Sequence, residues 1–334
     1  MSNLKAVASF SGGLDSTLAA AIVAEQGVEV KGIHVRTGFA AGGSNSEEVR
    51  RSAEEIGIEI KAVNVSESYL EIVKYPKHGY GSAVNPCLDC RVFMLRKMKE
   101  IMENSGAKFV VSGEVLGQRP MTQNSKDLLY HVEKEAGLEG LLLRPLSAKL
   151  LPVTEPEKKG WIDREKLYEI SGRSRKKQLE LAEKFGISEY LQPAGGCLLT
   201  DESFGARLEE LLNYEGKDNV DLEDVKLLRY GRQFRLPGSA KAIVGRDEEE
   251  NRNLKSFAEK RWKMEATNYP SPITLVDPGA GKSDLRIAAR LTARYSGGRD
   301  EELVKVVGDL NSRRWKKRVV PYPKESKLIE EMRI

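Results

Sequence analysis

The stretch Ala8-Ser9-Phe10-Ser11-Gly12-Gly13-Leu14-Asp15-Ser16-Thr17-Leu18-Ala19-Ala20 decides the fold. It begins inside an apolar run, Leu4 to Phe10, that reads as a buried strand. Leu14, Leu18, Ala21 and Ile22 then recur at helical spacing. The turn between them, Ser11 to Ser16, puts two glycines, two hydroxyls and a carboxylate where a helix begins. Glycines let the backbone approach a ligand closely, and the N–H groups of a helix start favour anions. Hydroxyls at both ends can bond phosphate oxygens, and Asp15 can hold Mg²⁺ beside them. A tight structural turn would also use a Gly-Gly pair. The full Ser-Gly-Gly-x-Asp-Ser string at the end of a first strand favours a phosphate cradle.

Outward from this turn, Val28 to Val35, Ile58 to Val65, Lys108 to Gly113 and Gly140 to Leu146 are further aliphatic or β-branched runs. They are separated by helical stretches such as Ser46 to Ile56 and Cys90 to Asn104. That order predicts an α/β fold, a doubly wound parallel sheet covered on both faces. Arg164 to Phe185 reads as one or two charged helices. Beyond about residue 200 the pattern changes, with Lys226 to Leu236 and Ala240 to Gly245 reading as strands of a second, smaller α+β domain. The expected division is 1–200 and 201–334.

Doubly wound sheets bind ligands at the carboxyl ends of their strands. The nucleotide-binding candidates are therefore Ser9, Ser11, Gly12, Gly13, Asp15 and Ser16 in the first turn, His34 and Val35 closing the second strand, and Ser112, Gly113, Glu114 and Gln118 after the fourth. His34 could equally be a packed or solvent-facing histidine. Gly279-Ala280-Gly281-Lys282-Ser283 imitates a Walker A loop, but the first glycine of that motif would fall at Val276.

Of 334 residues, 54 are Lys or Arg and 50 are Asp or Glu, so overall charge says little about partners. No charged region followed by an apolar core opens the chain, and no apolar stretch approaches the roughly 20 residues a bilayer span needs. A cytoplasmic protein with no membrane partner is expected.

Three cysteines do not make a disulfide framework. They lie in Gly- or Pro-punctuated loops, Asn85-Pro86-Cys87-Leu88-Asp89-Cys90 and Pro193-Ala194-Gly195-Gly196-Cys197. Cys87 and Cys90 open a helix, whose partial charge should favour thiolate. Three readings compete. A structural zinc site would have to recruit His34, His78 or His131 as fourth ligand. A redox Cys-x-x-Cys leaves Cys197 unexplained. Three thiolates, Cys87, Cys90 and Cys197, suit a 4Fe-4S cluster with one iron open for sulfide.

The Ser11-Gly12-Gly13-Leu14-Asp15-Ser16 string resembles the signature of the PP-loop ATP pyrophosphatase superfamily, an adenine nucleotide alpha hydrolase-like fold. Its members cleave ATP between the α and β phosphates and adenylate a carbonyl oxygen. Asn-Pro-Cys with a distant cysteine resembles the tRNA thiouridylases, and a Cys-x-x-Cys with one remote cysteine resembles members that hold a 4Fe-4S cluster. Ser112 to Met121 and Ile170 to Arg175 resemble segments of the same proteins, so the likeness covers about the first two hundred residues. The chain departs from the family in lacking further Cys-x-x-Cys pairs, an N-terminal tRNA-binding module and a rhodanese-like cysteine.

From Arg252 to Arg318 basic residues outnumber acidic ones by 16 to 8, and Arg313-Arg314-Trp315-Lys316-Lys317-Arg318 interleaves an aromatic with five cations. Such a patch suits phosphates and an unstacked base; a solvated basic helix end is the plainer alternative. Lys241 to Asn251 resembles the RNA-binding module of the NFACT family.

Together these imply an ATP-dependent tRNA uridine sulfurtransferase. Asp15 and the loop would stabilise departing pyrophosphate. Cys87 and Cys197 would serve catalysis, either with Cys90 around a cluster or as a persulfide relay. ATP, Mg²⁺ and a 4Fe-4S cluster are the expected cofactors. The expected partners are tRNA, a sulfur donor (sulfide or a persulfide-carrying protein), and a second copy in a homodimer. The alternatives are a PP-loop sulfur transferase acting on a small molecule or cofactor, and a non-catalytic nucleotide-gated RNA-binding protein.

Overall fold

The computed structural model describes residues 4–40, 46–119, 125–191 and 196–334. It divides into two compact units, Met1–Asp201 and Glu202–Ile334. The expected loop residues Gln192 to Gly195, and Pro120 and Met121, lie outside the described residues.

In the first unit, strands β1 (Lys5–Ser9), β2 (Glu29–Arg36), β3 (Glu59–Asn64), β4 (Phe109–Ser112) and β5 (Leu142–Leu143) form a parallel sheet in the order β3-β2-β1-β4-β5. Helices α1 (Leu14–Ala24), α2 (Ser46–Glu55), α3 (Ser66–Lys74), α4 (Cys87–Ser105), α5 (Lys126–Glu135), the single turn α6 (Glu155–Lys158) and α7 (Lys176–Phe185) surround it. Side chains alternate across each strand, so the two sheet faces carry separate cores. Ala6, Ala8 and Phe109 pack with α1, with Val49 and Ala53 of α2, and with Leu181 and Ala182 of α7. Val7, Ile33 and Val110 pack instead with Val92, Leu95 and Met98 of α4 and Val132 of α5.

The strand order reverses between β1 and β4, which pair directly. Crossovers leave this pair in opposite directions, so a crevice opens at its carboxyl ends. The Ser11–Ser16 turn and the Ser112–Gln118 segment sit at those ends. α1 is buried almost throughout, from Ser16 to Val23, which fixes its first turn in place.

In the second unit, strands β6 (Arg232–Arg235), β7 (Lys241–Val244), β8 (Trp262–Ala266), β9 (Thr274–Val276), β10 (Val304–Leu310) and β11 (Arg313–Val319) form an antiparallel sheet in the order β11-β10-β8-β9-β7-β6. Helices α8 (Glu202–Glu215), α9 (Leu222–Leu227), α10 (Glu248–Lys255), α11 (Lys282–Arg294) and α12 (Lys327–Met332) accompany it. Leu285, Ala288 and Ala289 of α11 pack on Phe234, Ala242, Met264 and Val306 of the sheet.

Several elements differ from the reading of the chain. Lys226 to Tyr230 is not strand: Asp221 and Asp224 make a reciprocal capping box that starts the helix Leu222–Leu227, which ends inside this run, and Leu228 to Tyr230 form the turn after it. Arg164 to Phe185 contains only a 3₁₀ turn, Arg164–Lys166, and α7. Arg313 to Arg318 is an edge strand, not a helix end. Where the Walker-like turn enters α11, buried Asp284 accepts from the N–H groups of Gly238 and Ala240 at 2.9 and 3.2 Å, so a carboxylate already stands in the helix's first turn.

Candidate active site

The turn after β1 is held by its own hydroxyls. Gly12 adopts φ +77°, open to glycine, and a Cβ there would lie 3.0 Å from the backbone of Val49 and from Leu191. Gly13 caps α1, and its carbonyl accepts from Ser16 Oγ at 2.9 Å and Thr17 Oγ1 at 3.1 Å. Ser11 and Ser16 hydroxyls meet at 3.0 Å, and the Ser11 N–H donates to Ser16 Oγ at 3.2 Å. The N–H groups of the first turn of a helix have no intrahelical acceptor, which is the basis of an anion cradle.

Asp15, in that first turn, accepts at Oδ2 from the Gln118 amide at 2.9 Å. Its other oxygen, Oδ1, is shielded from solvent and has no hydrogen-bond partner. A buried carboxylate oxygen without a donor is costly, and a divalent cation would satisfy it. The residues thus fit Mg²⁺ beside phosphate. Gly113 plays a structural part: its missing Cβ lets the end of β4 lie against α1, since a Cβ would fall 2.6 Å from Asp15 C and O and from Ser16 N.

Ser9 and Val35 take part through the sheet. Ser9 pairs with Ile33 and with Ser112, and Val35 packs on the α4-side core. His34, on the opposite face of β2, has Nδ1 3.2 Å from the Phe10 carbonyl oxygen. Burial holds its pKa below the usual imidazole value, so the ring is neutral, with Nδ1–H donating and Nε2 left as an acceptor.

The three cysteines are free thiols, and they converge. Cys87 and Cys90 occupy the first turn of α4. Cys197 reaches them through two tethers: Leu191 N–H donates to Gly12 O at 2.7 Å, and Leu198 N–H donates to Phe39 O at 2.9 Å while Ala40 and Cys197 form an antiparallel bridge. Leu191 is thus held at the phosphate turn, and Cys197 beside Ala40 with the other thiols. All three sulfurs act electrostatically on the hydroxyl of buried Tyr69, which is hydrogen-bonded to Cys90, and the Tyr69 pKa is driven far above that of a free phenol, chiefly by burial. Tyr69 is itself wedged edge-on against Phe39, ring centres 5.6 Å apart.

The expectation of thiolate is overturned. Burial is the largest influence on all three thiols and pushes them up, Cys197 to about 11. Arg119 opposes the rise at Cys87, and Arg91 and Arg119 oppose it at Cys90. A thiolate here needs a cation or metal to stabilise it. His34 is engaged at Phe10, and His78 and His131 are gathered elsewhere, at Glu135.

Arg91, Arg144 and Glu133, outside the motifs, brace the site through Glu114. Arg91 of α4 donates to Glu114 at 2.5 Å and to Ser112 Oγ at 3.0 Å. Glu114 also takes Arg144 at 2.9 Å, and Arg144 reaches Glu133 at 2.6 Å. Glu114, Arg144 and Glu133 are buried, and the two guanidinium groups hold the Glu114 carboxyl at about 2 despite that burial. The chain locks the cysteine-bearing helix to the end of β4. Arg91, Arg144 and Tyr69 carried no local signal, because their partners lie 21, 30 and 21 positions away respectively for Ser112, Glu114 and Cys90.

Residues 4–158 match the family described as tRNA methyl transferase HUP domain, and residues 231–331 match the NFACT protein RNA binding domain. The chain is 24% identical over 341 residues to the tRNA-specific 2-thiouridylase MnmA 1 of Caldanaerobacter subterraneus subsp. tengcongensis, a match covering 92% of this chain and 88% of the relative. It is 29% identical over 152 residues to the probable tRNA sulfurtransferase of Thermococcus kodakarensis, covering 42% and 36% of the two chains. Of that relative the match thus spans little more than a third. Among solved structures, a 4-thiouridine synthetase–RNA complex with bound ATP aligns at 21% identity and TM-score 0.41, over 67% of this chain and 52% of that one.

Proposed function

We infer that this chain, a PP-loop, tRNA thiouridylase-like protein with an NFACT-type second unit, thiolates tRNA in an ATP-dependent reaction. One observation carries the reading. Leu191, hydrogen-bonded to Gly12 of the phosphate turn, and Cys197, gathered with the other two thiols, stand only six positions apart in the chain.

In this reading the turn and the start of α1 bind the pyrophosphate portion of ATP, and Asp15 Oδ1 ligates Mg²⁺. A uridine carbonyl oxygen attacks the α-phosphorus, and pyrophosphate leaves into the cradle, where N–H dipoles already face the charge that develops. The adenylated oxygen then departs as AMP while sulfur bonds to the same carbon. With sulfide as donor the exchange is redox-neutral: one C–O bond breaks, one C–S bond forms.

Cys87, Cys90 and Cys197 would hold a 4Fe-4S cluster, which when bound supplies an iron able to accept sulfide. Tyr69, through Cys90, orients the thiol group. A bound metal group would stabilise the thiolates that burial disfavours, and a persulfide relay on Cys87 and Cys197 is the alternative. Anaerobically reconstituted protein should carry about four iron and about four sulfide per chain, and Cys197→Ala should lose them.

The second unit supplies tRNA affinity through β11. Nucleoside mass spectrometry of unmodified tRNA treated with the reconstituted chain, Mg-ATP and sulfide tests the function: a thiolated uridine supports it, and none in the presence of an intact cluster opposes it.

A further inference from the structure

A zinc site on the cysteines would have to recruit one of the three histidines, but two of them meet somewhere else. His131 and Glu135 stand one turn apart on α5, spacing that puts both on one helix face. His78 comes from the loop before α4. The ligand atoms of His78, His131 and Glu135 all lie within 4.8 Å of one another.

The two distances from Glu135 to the histidines match those of a coordination shell. Glu135 Oε2 is 3.3 Å from His78 Nε2 and 3.5 Å from His131 Nε2. Two ligand atoms on a tetrahedral Zn²⁺, each about 2.1 Å from the ion, are about 3.4 Å apart. Neither contact is a hydrogen bond, and Glu135 Oε2 is shielded from solvent with no hydrogen-bond partner. The other carboxylate oxygen is already engaged: Lys77 Nζ sits 2.7 Å from Oε1 and Arg96 Nη2 3.7 Å. The carboxylate is thereby fixed to offer one oxygen.

The outer shell is present as well. His78 Nδ1 lies 2.9 Å from Asp89 Oδ1, and Asp89 Oδ2 accepts the His78 backbone N–H at 2.9 Å. A buried carboxylate on Nδ1 selects the tautomer whose Nε2 lone pair faces the ligand position. Asp89 is 8% exposed and stands between Cys87 and Cys90.

We propose that His78, His131 and Glu135 bind one Zn²⁺ or a similar divalent transition metal, with Asp89 as the outer-shell partner of His78. The donor set is two nitrogens and one oxygen, with the fourth position left to water. The ion joins α5 to the loop before α4 and, through Asp89, fixes the turn that carries Cys87 and Cys90. It is separate from any group the cysteines hold, and contains no sulfur ligand.

Cobalt distinguishes the two sets of ligands, because thiolate ligation produces intense charge-transfer absorption in the near ultraviolet and nitrogen–oxygen ligation does not. The full chain with Cys87, Cys90 and Cys197 alkylated should bind one Co²⁺ with visible d–d bands only, displaced by Zn²⁺. His131→Ala, a change at a half-exposed side chain, should lose this ion. Asp89→Asn should weaken it by about 10- to 100-fold, with circular dichroism confirming that both variants fold. The thermal midpoint of the alkylated wild type should rise with Zn²⁺, and that of His131→Ala should not. Equal Co²⁺ binding by wild type and His131→Ala, or no binding by a folded wild-type chain, would overturn the proposal.

Discussion

The Gln118 side-chain amide donates to Asp15 Oδ2 at 2.9 Å, joining the segment after β4 to the first turn of α1 across the point where the strand order reverses. The pairing leaves Asp15 Oδ1 without a partner. Asp15→Asn should therefore abolish Mg²⁺-dependent ATP–pyrophosphate exchange by about 100-fold or more, the scale of losing one electrostatic contact to a developing charge. Gln118→Ala, which frees the carboxylate without removing it, should raise the Mg²⁺ requirement and leave more activity. Exchange rates measured against Mg²⁺ concentration separate the two.

Gly113 is a second point of closure. A methyl group there must displace the backbone of Asp15 or Ser16. Gly113→Ala should cost about 1–3 kcal/mol of stability, as overpacking does, and weaken ATP binding through the displaced turn. Urea unfolding and nucleotide titration on the same sample check both effects.

The Arg91–Glu114–Arg144 chain predicts an acid-labile contribution to stability. The Glu114 carboxyl is held at about 2, against about 4.3 in an unfolded chain. Because the folded pKa is the lower one, its stabilisation is present above the unfolded value and is lost as the pH falls from about 4 towards 2. Glu114→Gln should cost about 3–5 kcal/mol near neutrality, since it leaves buried Arg144 without that partner. It should also flatten the stability profile between pH 4 and 2. Denaturation curves across that range report the slope.

The β10–β11 ladder sorts the basic hexapeptide onto two faces, because residues opposite each other in an antiparallel pair share a face. Arg314, Lys316 and Arg318 stand opposite Asp309, Val307 and Lys305, while Arg313 and Lys317 stand opposite buried Leu310 and Val306. On the first face Lys316 depresses the pKa of Lys305, a like-charge crowding that an anion would relieve. Neutralising Arg314, Lys316 and Arg318 should reduce the slope of log K against log salt for tRNA by about two to three. Neutralising Arg313 and Lys317 should change it by less than about one. Equal effects would mean that the two faces are not distinguished.

What could be read from the chain follows from distance along it. The phosphate turn was legible because strand, glycines, hydroxyls and helix are consecutive, and each local preference agrees with the sheet that forms. The Lys226–Tyr230 run misled because its leucines suit either period, and the deciding signal was the cap at Asp221 and Asp224 upstream. The cysteines were found, but the burial that pushes their thiols up was not, since it arises on folding, as with Tyr69, hydrogen-bonded to Cys90 from 21 positions away. The two faces of β11 were hidden for a different reason: both carry cations, so no alternation shows.

In the proposed reaction the carbonyl oxygen of a tRNA uridine becomes a phosphate oxygen of AMP. The most direct measurement uses tRNA carrying ¹⁸O at the uridine carbonyl, treated with the reconstituted chain, Mg-ATP and sulfide, followed by mass spectrometry of AMP and pyrophosphate. One ¹⁸O in AMP for each thiouridine formed, with none in pyrophosphate, is the predicted result. Thiouridine formed with unlabelled AMP, or ADP and phosphate in place of AMP and pyrophosphate, would contradict it.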